Sequence, residues 1–464
     1  MRTLRTAVAA LSLALAAGPV AAQSLAATYR PVADSIINVA LRDSSAWNRL
    51  AEMTDKFGNR LSGSDALERT IDWVIDQMRR DGLQNVRGEP AMVPHWVRGQ
   101  ESAELVSPRR APLFMLGLGM SVGTPPAGIE AEVLVVTSFD DLTRRAAEAR
   151  GKIVLFDVPY TGYGQTVRYR VAGPSAASKL GAVAVLIRSV AAYSIRSPHT
   201  GTLQYDSTAA PIPAAALSVE DAEMLHRMSD RGEHVVVHLT MGAQTLPDSP
   251  SRNVMGELVG RDRPNEVIVL GGHIDSWDVG MGAMDDGGGL VVSWEAVKLL
   301  KRLGLHPRRT IRVVGWTNEE NGGRGGLAYR DAHSADLVDH ILAFESDGGV
   351  FRPLGFGFTG SDSAMAMVRD IATLLRSIGA DSVTRGGGGA DIGPIAQLGV
   401  PAMSPNVDDR RYFWFHHSNG DTVDKLDAHE MAQCVAAFAV MMYVVADMPE
   451  RLPRGPVPAV PAGR

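Results

Sequence analysis

The chain has 464 residues, 45% of them hydrophobic and 21% charged, with a formal net charge of −6. That length allows two or three domains with proper cores, and the composition is that of an ordinary globular protein. A mild acidic excess with no basic run argues against a nucleic-acid partner.

The opening stretch, "MRTLRTAVAALSLALAAGPVAAQ", sets Arg2 and Arg5 before a short apolar core and Val20-Ala21-Ala22. This pattern predicts a signal peptide over residues 1–22, cleaved after Ala22, and a secreted or periplasmic mature chain. The apolar core is shorter than the roughly 20 residues a membrane anchor needs, so no anchor is expected. Cys434 is the single cysteine, which excludes an intramolecular disulfide. Its apolar setting, "MAQCVAAFAVMMYVVADM", predicts a buried packing role.

Residues 45–85 predict helices around a Gly-rich break, with Ala66, Ile71, Val74, Ile75 and Met78 on one face and Gly82 as the stop. "GTPPAG" at 123–128 and "TLPDSPSRN" at 245–253 read as boundaries. Between them, "AEVLVVTSF", "GKIVLFDV", "GAVAVLIRSV", "AAALSV" and "HVVVHLTM" predict a separate module over 125–246. That module would interrupt a larger domain made of 23–124 and 247–452. Beyond residue 253, strand and helix patterns alternate: "EVIVLGGH", "GLVVSWEAVKLLKRLG", "TIRVVGWTNEE", "GLAYRDAH", "HILAFESD". The expected fold class is α/β, a mixed, mostly parallel sheet flanked by helices, with ligands at the carboxyl ends of its strands. The Pro-rich tail, 453–464, is expected to be disordered.

The polar residues collect at those strand ends. The first strand runs into His273, Asp275, Asp285 and Asp286, the second into Asn318-Glu319-Glu320, and the third into Glu345-Ser346-Asp347. A fourth group, "FHHSNGDT", carries His416, His417 and Asp421. Each piece alone is ordinary: "DDGGG" can open a helix, and "NEE" suits a helix start. Four together, if their strands lie side by side, crowd like charges in one cleft, which is unfavourable without a counter-charge. Divalent cations remove the conflict. Imidazole and carboxylate suit zinc, and a shared carboxylate can bridge two ions roughly 3.5–4 Å apart. The same donors also accept cobalt or manganese.

These motifs, with "GNRLSGS", "VPHWVRG", "SIRSPHTG" and "YVVADM", make the chain resemble the co-catalytic dizinc aminopeptidase and carboxypeptidase family over residues 45–452. The resemblance implies two Zn2+ per chain. His273 and Asp347 would hold one, Glu320 and His417 the other, and Asp285 both. It implies Glu319 as general base to a metal-bridging hydroxide, Asp275 orienting His273, and a cis peptide between Asp285 and Asp286. It further implies a protease-associated domain as the insert, a homodimer, and short peptides or dipeptides as substrates. His416 stands where relatives carry a tyrosine that holds the oxyanion, so it is either that donor or a rim residue. Gly388 and Gly389, in a run of four glycines, are candidates for binding substrate through backbone N–H groups, and Asp391 for meeting a free ammonium. Arg324 and Arg385 are candidate carboxylate partners, and His199 a residue that reaches a site across a dimer. Two alternatives remain on the same fold. One is a single-zinc glutaminyl cyclase-like enzyme; the other is a non-catalytic binding protein, which has no need of a free base at Glu319.

Overall fold

The apolar runs after residue 253 fold as the neighbouring parallel strands Arg263–His273, Arg309–Trp316 and His340–Glu345. They form the centre of an eight-stranded sheet in the computed structural model, which describes residues 24–455. The expected signal peptide and most of the Pro-rich tail lie outside the described residues. Across the sheet the order is Gln84–Val97, Gln244–Leu258, Arg309–Trp316, Arg263–His273, His340–Glu345, Ala402–Val407, Pro353–Thr359 and Ser382–Arg385. Its middle is parallel and its flanks contain antiparallel pairs. The expected mixed α/β class therefore holds.

The central strands are apolar along their whole length because both faces are covered. Leu270, Val313 and Phe344 pack with the helices Gly288–Arg302, Ala428–Asp447 and Leu25–Ala40, while Val269, Val314 and Ala343 pack on the other face with Tyr329 and Ile392. The helix Ala428–Asp447 is long and apolar enough to cross a membrane, but most of it is core. Within it Cys434 is fully buried, its Sγ donating to the Phe351 carbonyl oxygen at 3.1 Å. The early helices are Ser45–Phe57 and Asp65–Arg80, and Gly82 beyond them takes φ +75°. Ile71, Val74, Ile75 and Met78 are buried as expected; Leu67 takes the place assigned to Ala66, which is half-buried.

The second module is also an eight-stranded sheet, with helices such as Tyr163–Ser178 packed against it. Two expectations about its limits need correction. Its sheet takes in Glu101–Ser107, Ala111–Leu113 and Met115–Gly117, so it begins upstream of residue 125. "TLPDSPSRN" is no linker: it lies within the strand Gln244–Leu258. Residues 244–253 there pair only with Gln84–Val97, and the main sheet takes over from Val254. A two-stranded ribbon leaves one edge of each strand unpaired, so Pro247 and Pro250 interrupt no ladder on that side.

At the amino end of the main sheet, His340 is 1% exposed. Its Nδ1 faces the Asp336 carbonyl oxygen at 3.1 Å, and its Nε2 takes the Tyr329 hydroxyl at 2.9 Å, which in turn accepts from Arg312 at 2.8 Å. Only the neutral ring fits this chain of partners, and burial pushes its pKa down to about 4. An unfolded chain takes up the proton near pH 6.5 while the native state resists it to about 4. Stability contributed by this residue is therefore complete above pH 6.5 and falls, by roughly 3 kcal/mol, as pH drops towards 4. Denaturant titrations across that window should show this loss, and His340→Gln should flatten it. An unchanged slope in the variant would refute the assignment.

Candidate metal centre

The parallel register brings the strand ends together: His273 lies opposite Trp316, and Gly271 opposite both Val314 and Glu345. The acidic turns that follow these strands thus meet at one edge. His273 is fully buried, its Nδ1 2.9 Å from the Asp275 carbonyl oxygen. That bond takes the Nδ1 proton and leaves the Nε2 lone pair facing the cleft. There Nε2 stands 3.1 Å from Asp285 Oδ1, 3.6 Å from Asp347 Oδ1 and 4.0 Å from Glu319 Oε2. On the other side of Asp285, His417 Nε2 stands 3.2 Å from Asp285 Oδ2 and 3.0 Å from Glu320 Oε2.

Two groups of donors thus lie close enough to hold one ion each: His273, Asp285 and Asp347, and Asp285, His416 and His417. Asp285 belongs to both. For His416, an oxyanion donor or a rim residue by the sequence, the ring stacks on His417 at 3.5 Å, with Nε2 3.4 Å from Asp285 Oδ2.

Glycine and acid share the work of shaping the turn. Asp286 accepts from His273 N at 3.1 Å and Gly289 N at 3.1 Å, so it ties the strand end to the start of the helix. A Cβ on Gly289 would lie 1.9 Å from Ser346 O, and one on Gly272 1.9 Å from Asp286 Oδ2. Both closures demand a residue with no side chain. The peptide between Asp285 and Asp286 is cis, as the resemblance implied. Asp275 orients His273 through its carbonyl, whereas its carboxylate accepts from Glu319 N at 3.1 Å and Glu320 N at 3.4 Å.

The charges are far from balanced. Burial alone would push the His273 and His417 imidazoles down, but the facing carboxylates outweigh it and hold both well above the ordinary range. Burial would raise Asp285, yet the bond from His273 and the nearby His417 ring hold it well below. Burial, with Asp285 beside it, raises Glu320 to about 7, and burial lifts Glu319 well above the carboxylate range. Asp285 Oδ2 has no aligned hydrogen bond although His417 Nε2 is near. The raised values of His273, His417, Glu319 and Glu320 all call for added positive charge, and the imidazole–carboxylate donor set fits a divalent metal.

Of the remaining candidates, some reach the site and some do not. The cavity beside the acids, about 340 Å³, is lined by Asp285, Glu319, Glu320, Asp347, His416 and His417, together with Tyr412 and Phe413. Tyr163, Arg170 and Thr202 of the second module complete it. Gly388 and Gly389 are not in this lining: Gly388 N points to Ser404 Oγ at 3.5 Å, and Gly389 presses against the Glu345 carboxyl. Asp391 is buried beside Glu345 with both oxygens unpartnered, and burial and Glu345 raise its pKa strongly. Arg324 is exposed, and Arg385 pairs with Asp362. His199 reaches the centre within its own chain, Nδ1 lying 2.6 Å from the His416 carbonyl oxygen.

Sequence reasoning missed Arg60, in "GNRLSGS". Its side chain is fully buried and donates to the carbonyls of Gly58, Ile274, Met281 and Gly282 at 2.7–2.9 Å. It pins both arms of the 274–286 loop. Only the neighbouring glycines hinted at such a turn.

Residues 253–442 match the family described as "Peptidase family M28". Carboxypeptidase Q of Mus musculus is 50% identical over 431 residues, 92% of this chain and 92% of that protein. The chain belongs to peptidase family M28. A solved M28 relative, the Peptidase M28 precursor from Shewanella amazonensis, is 34% identical and superposes with a TM-score of 0.89, covering 92% of this chain and 99% of that one. BSAP, a zinc aminopeptidase from Bacillus subtilis, shares the fold at 20% identity, with a TM-score of 0.64 over 87% of this chain and 94% of that one. Membership makes the chain a metallopeptidase, and the M28 match spans all four acidic turns.

Asp421 caps the M28 turn that carries Asp285: its carboxylate accepts from Ala283 N at 3.0 Å, Met284 N at 2.7 Å and Asp285 N at 3.3 Å. Asp421→Ala leaves three buried N–H groups without partners and should cost about 3 kcal/mol of stability. Denaturant unfolding of the variant measures this directly, and an unchanged midpoint would show that the cap is dispensable.

Proposed function

We propose that this M28 metallopeptidase is a dizinc exopeptidase that cleaves dipeptides or terminal residues of short peptides. The observation that carries the reading is Asp285, whose two oxygens face imidazole nitrogens of two different donor groups at 3.1 and 3.2 Å. In this reading His273 and Asp347 would hold one zinc and Glu320 and His417 the other, with Asp285 available to both and His416 beside the second group. Zinc held there supplies Lewis acidity and makes water acidic enough to attack near neutral pH.

The protein's own part is to position and to move protons. Among the described residues Glu319 has no side-chain hydrogen-bond partner; its side chain is 21% exposed at the cavity, next to His273. It takes the proton of the attacking water and returns it to the leaving amine. Its neighbour Glu320 is anchored by Trp277 N at 3.2 Å and by His417, so adjacent carboxylates serve different ends. Asp275, by holding the backbone N–H groups of both, sets that divergence. Removing the Glu319 carboxylate acts on the transition state rather than on binding.

We further infer a secreted or periplasmic enzyme with its signal peptide removed, a homodimer, and a protease-associated domain as the second module. The relatives named Carboxypeptidase Q support carboxypeptidase action on free peptide termini.

Glu319→Gln should lower kcat on dipeptides by about 10²–10⁴-fold, with KM little changed and metal content intact. Elemental analysis of the same samples should give about two zinc ions per chain, whereas a single-zinc cyclase-type site predicts about one. Near-normal turnover in the metal-loaded variant would remove Glu319 from its role.

A further inference from the structure

The second module gives the cavity a hydroxyl whose orientation is fixed by chemistry. Tyr163 is the first residue of the helix Tyr163–Ser178, and its ring stacks on Phe413 at 5.0 Å and meets His416 edge-on at 5.1 Å. Seven residues on, on the same helix face, Arg170 is 4% exposed. Its Nη2 donates to the Tyr163 hydroxyl oxygen at 2.9 Å, while Nε and Nη1 donate to the carbonyls of Thr202 and Thr200 at 3.2 Å each. A guanidinium can only donate. The Tyr163 oxygen therefore accepts on that side, and its proton points elsewhere. Among the described residues it has no protein acceptor.

The cavity gives that proton a destination. Tyr163 and Arg170 share its wall with Asp285, Glu319, Glu320 and Asp347. When ionised, those carboxylates accept and cannot donate, and Thr202 spends its own hydroxyl on the Leu203 carbonyl at 3.3 Å. A carbonyl oxygen that gains charge during attack needs a donor already aimed at it. Charge-assisted donation from Arg170 polarises the Tyr163 O–H and strengthens what it gives.

Building on the exopeptidase reading, we infer that Tyr163, fixed and polarised by Arg170, is a catalytic residue: its hydroxyl donates to the scissile carbonyl oxygen as that oxygen becomes an oxyanion. The second module then completes the reaction centre rather than merely covering it. Arg170 acts through Tyr163 and is a positioning residue.

The test is Tyr163→Phe in the zinc-loaded full-length enzyme, with Tyr412→Phe in parallel because Tyr412 lines the same cavity. Tyr163→Phe should lower kcat on dipeptides by about 10²-fold with KM within about twofold, at unchanged zinc content and melting temperature. Calorimetry should show a comparable loss of affinity for a phosphinic dipeptide, which mimics the tetrahedral state, and none for the product amino acids. A kcat within about twofold of wild type overturns the inference, as does a loss carried by Tyr412→Phe alone. A rise in KM confined to substrates with a free carboxylate also overturns it, since Tyr163 would then be gripping the terminus. Wild-type enzyme inactive on every dipeptide would sink the exopeptidase reading and this inference together, whereas active wild type with an unaffected Tyr163→Phe sinks only the inference.

Discussion

Asp285 is a buried carboxylate at the cavity wall with an imidazole nitrogen facing each oxygen, and the surrounding structure is organised to keep it there. A carboxylate at that depth is costly unless positive charge meets it. The geometry around it accordingly leaves little slack. The strand end, the helix start and the turn at Ser346 approach so closely that Gly272 and Gly289 admit no Cβ. Arg60 ties the loop from one side through carbonyls, and Asp421 from the other through N–H groups. Backbone bonds thus fix the loops that carry the donors, so the site takes its shape from the fold.

The two modules meet at that same point. His417 bonds to the second module twice: its carbonyl accepts from Thr200 N at 2.9 Å, and its Nδ1 lies 3.4 Å from Arg170. Gly201 between them has φ +130°, and a Cβ there would strike both Arg170 and His417 Nδ1. A loop this close to a donor residue is part of the centre. That explains why "SIRSPHTG", far upstream in the chain, belongs with the metal motifs: His199 and Thr200 buttress the backbone of His416 and His417.

What the sequence made legible follows from how local each signal was. The strand-end acids could be read because each sits directly after an apolar run, and parallel strands bring their carboxyl ends to one edge. The module limits could not, because proline reads as a break, and nothing local says that Pro247 lies in a ribbon with a free edge. Tyr163 and Arg170 were equally silent. A tyrosine and an arginine seven residues apart are unremarkable on a helix, and their meaning comes from a cavity shared with residues more than a hundred positions away. His416 lay between: the doublet was visible, but not that both rings turn to Asp285 Oδ2, at 3.4 and 3.2 Å, across a left-handed His417 backbone at φ 59°.

The acids themselves fall into two classes, and the division explains the centre better than their number does. Asp275, Asp286 and Asp421 each accept from two or three backbone N–H groups, and Glu345 accepts from Ile392 N at 2.8 Å. Apart from Glu345 Oε1, which has no partner among the described residues, these carboxylates are bonded to the backbone, so they fix loops and set the field. Asp285, Glu319 and Asp347 have no backbone donor on their side chains among these bonds, and Glu320 keeps one oxygen for Trp277 N and turns the other to His417. These are the carboxylates with capacity left for something outside the protein. The outer acids make a proton or a cation more welcome at the inner ones, because a buried negative field raises the affinity for positive charge at its centre. An outer ring that spent its lone pairs on backbone would be wasteful in a purely structural cluster, where hydrophobic residues of similar size pack at less cost. It makes sense where the inner ring must bind cations and still leave one carboxylate, Glu319, open to the cavity.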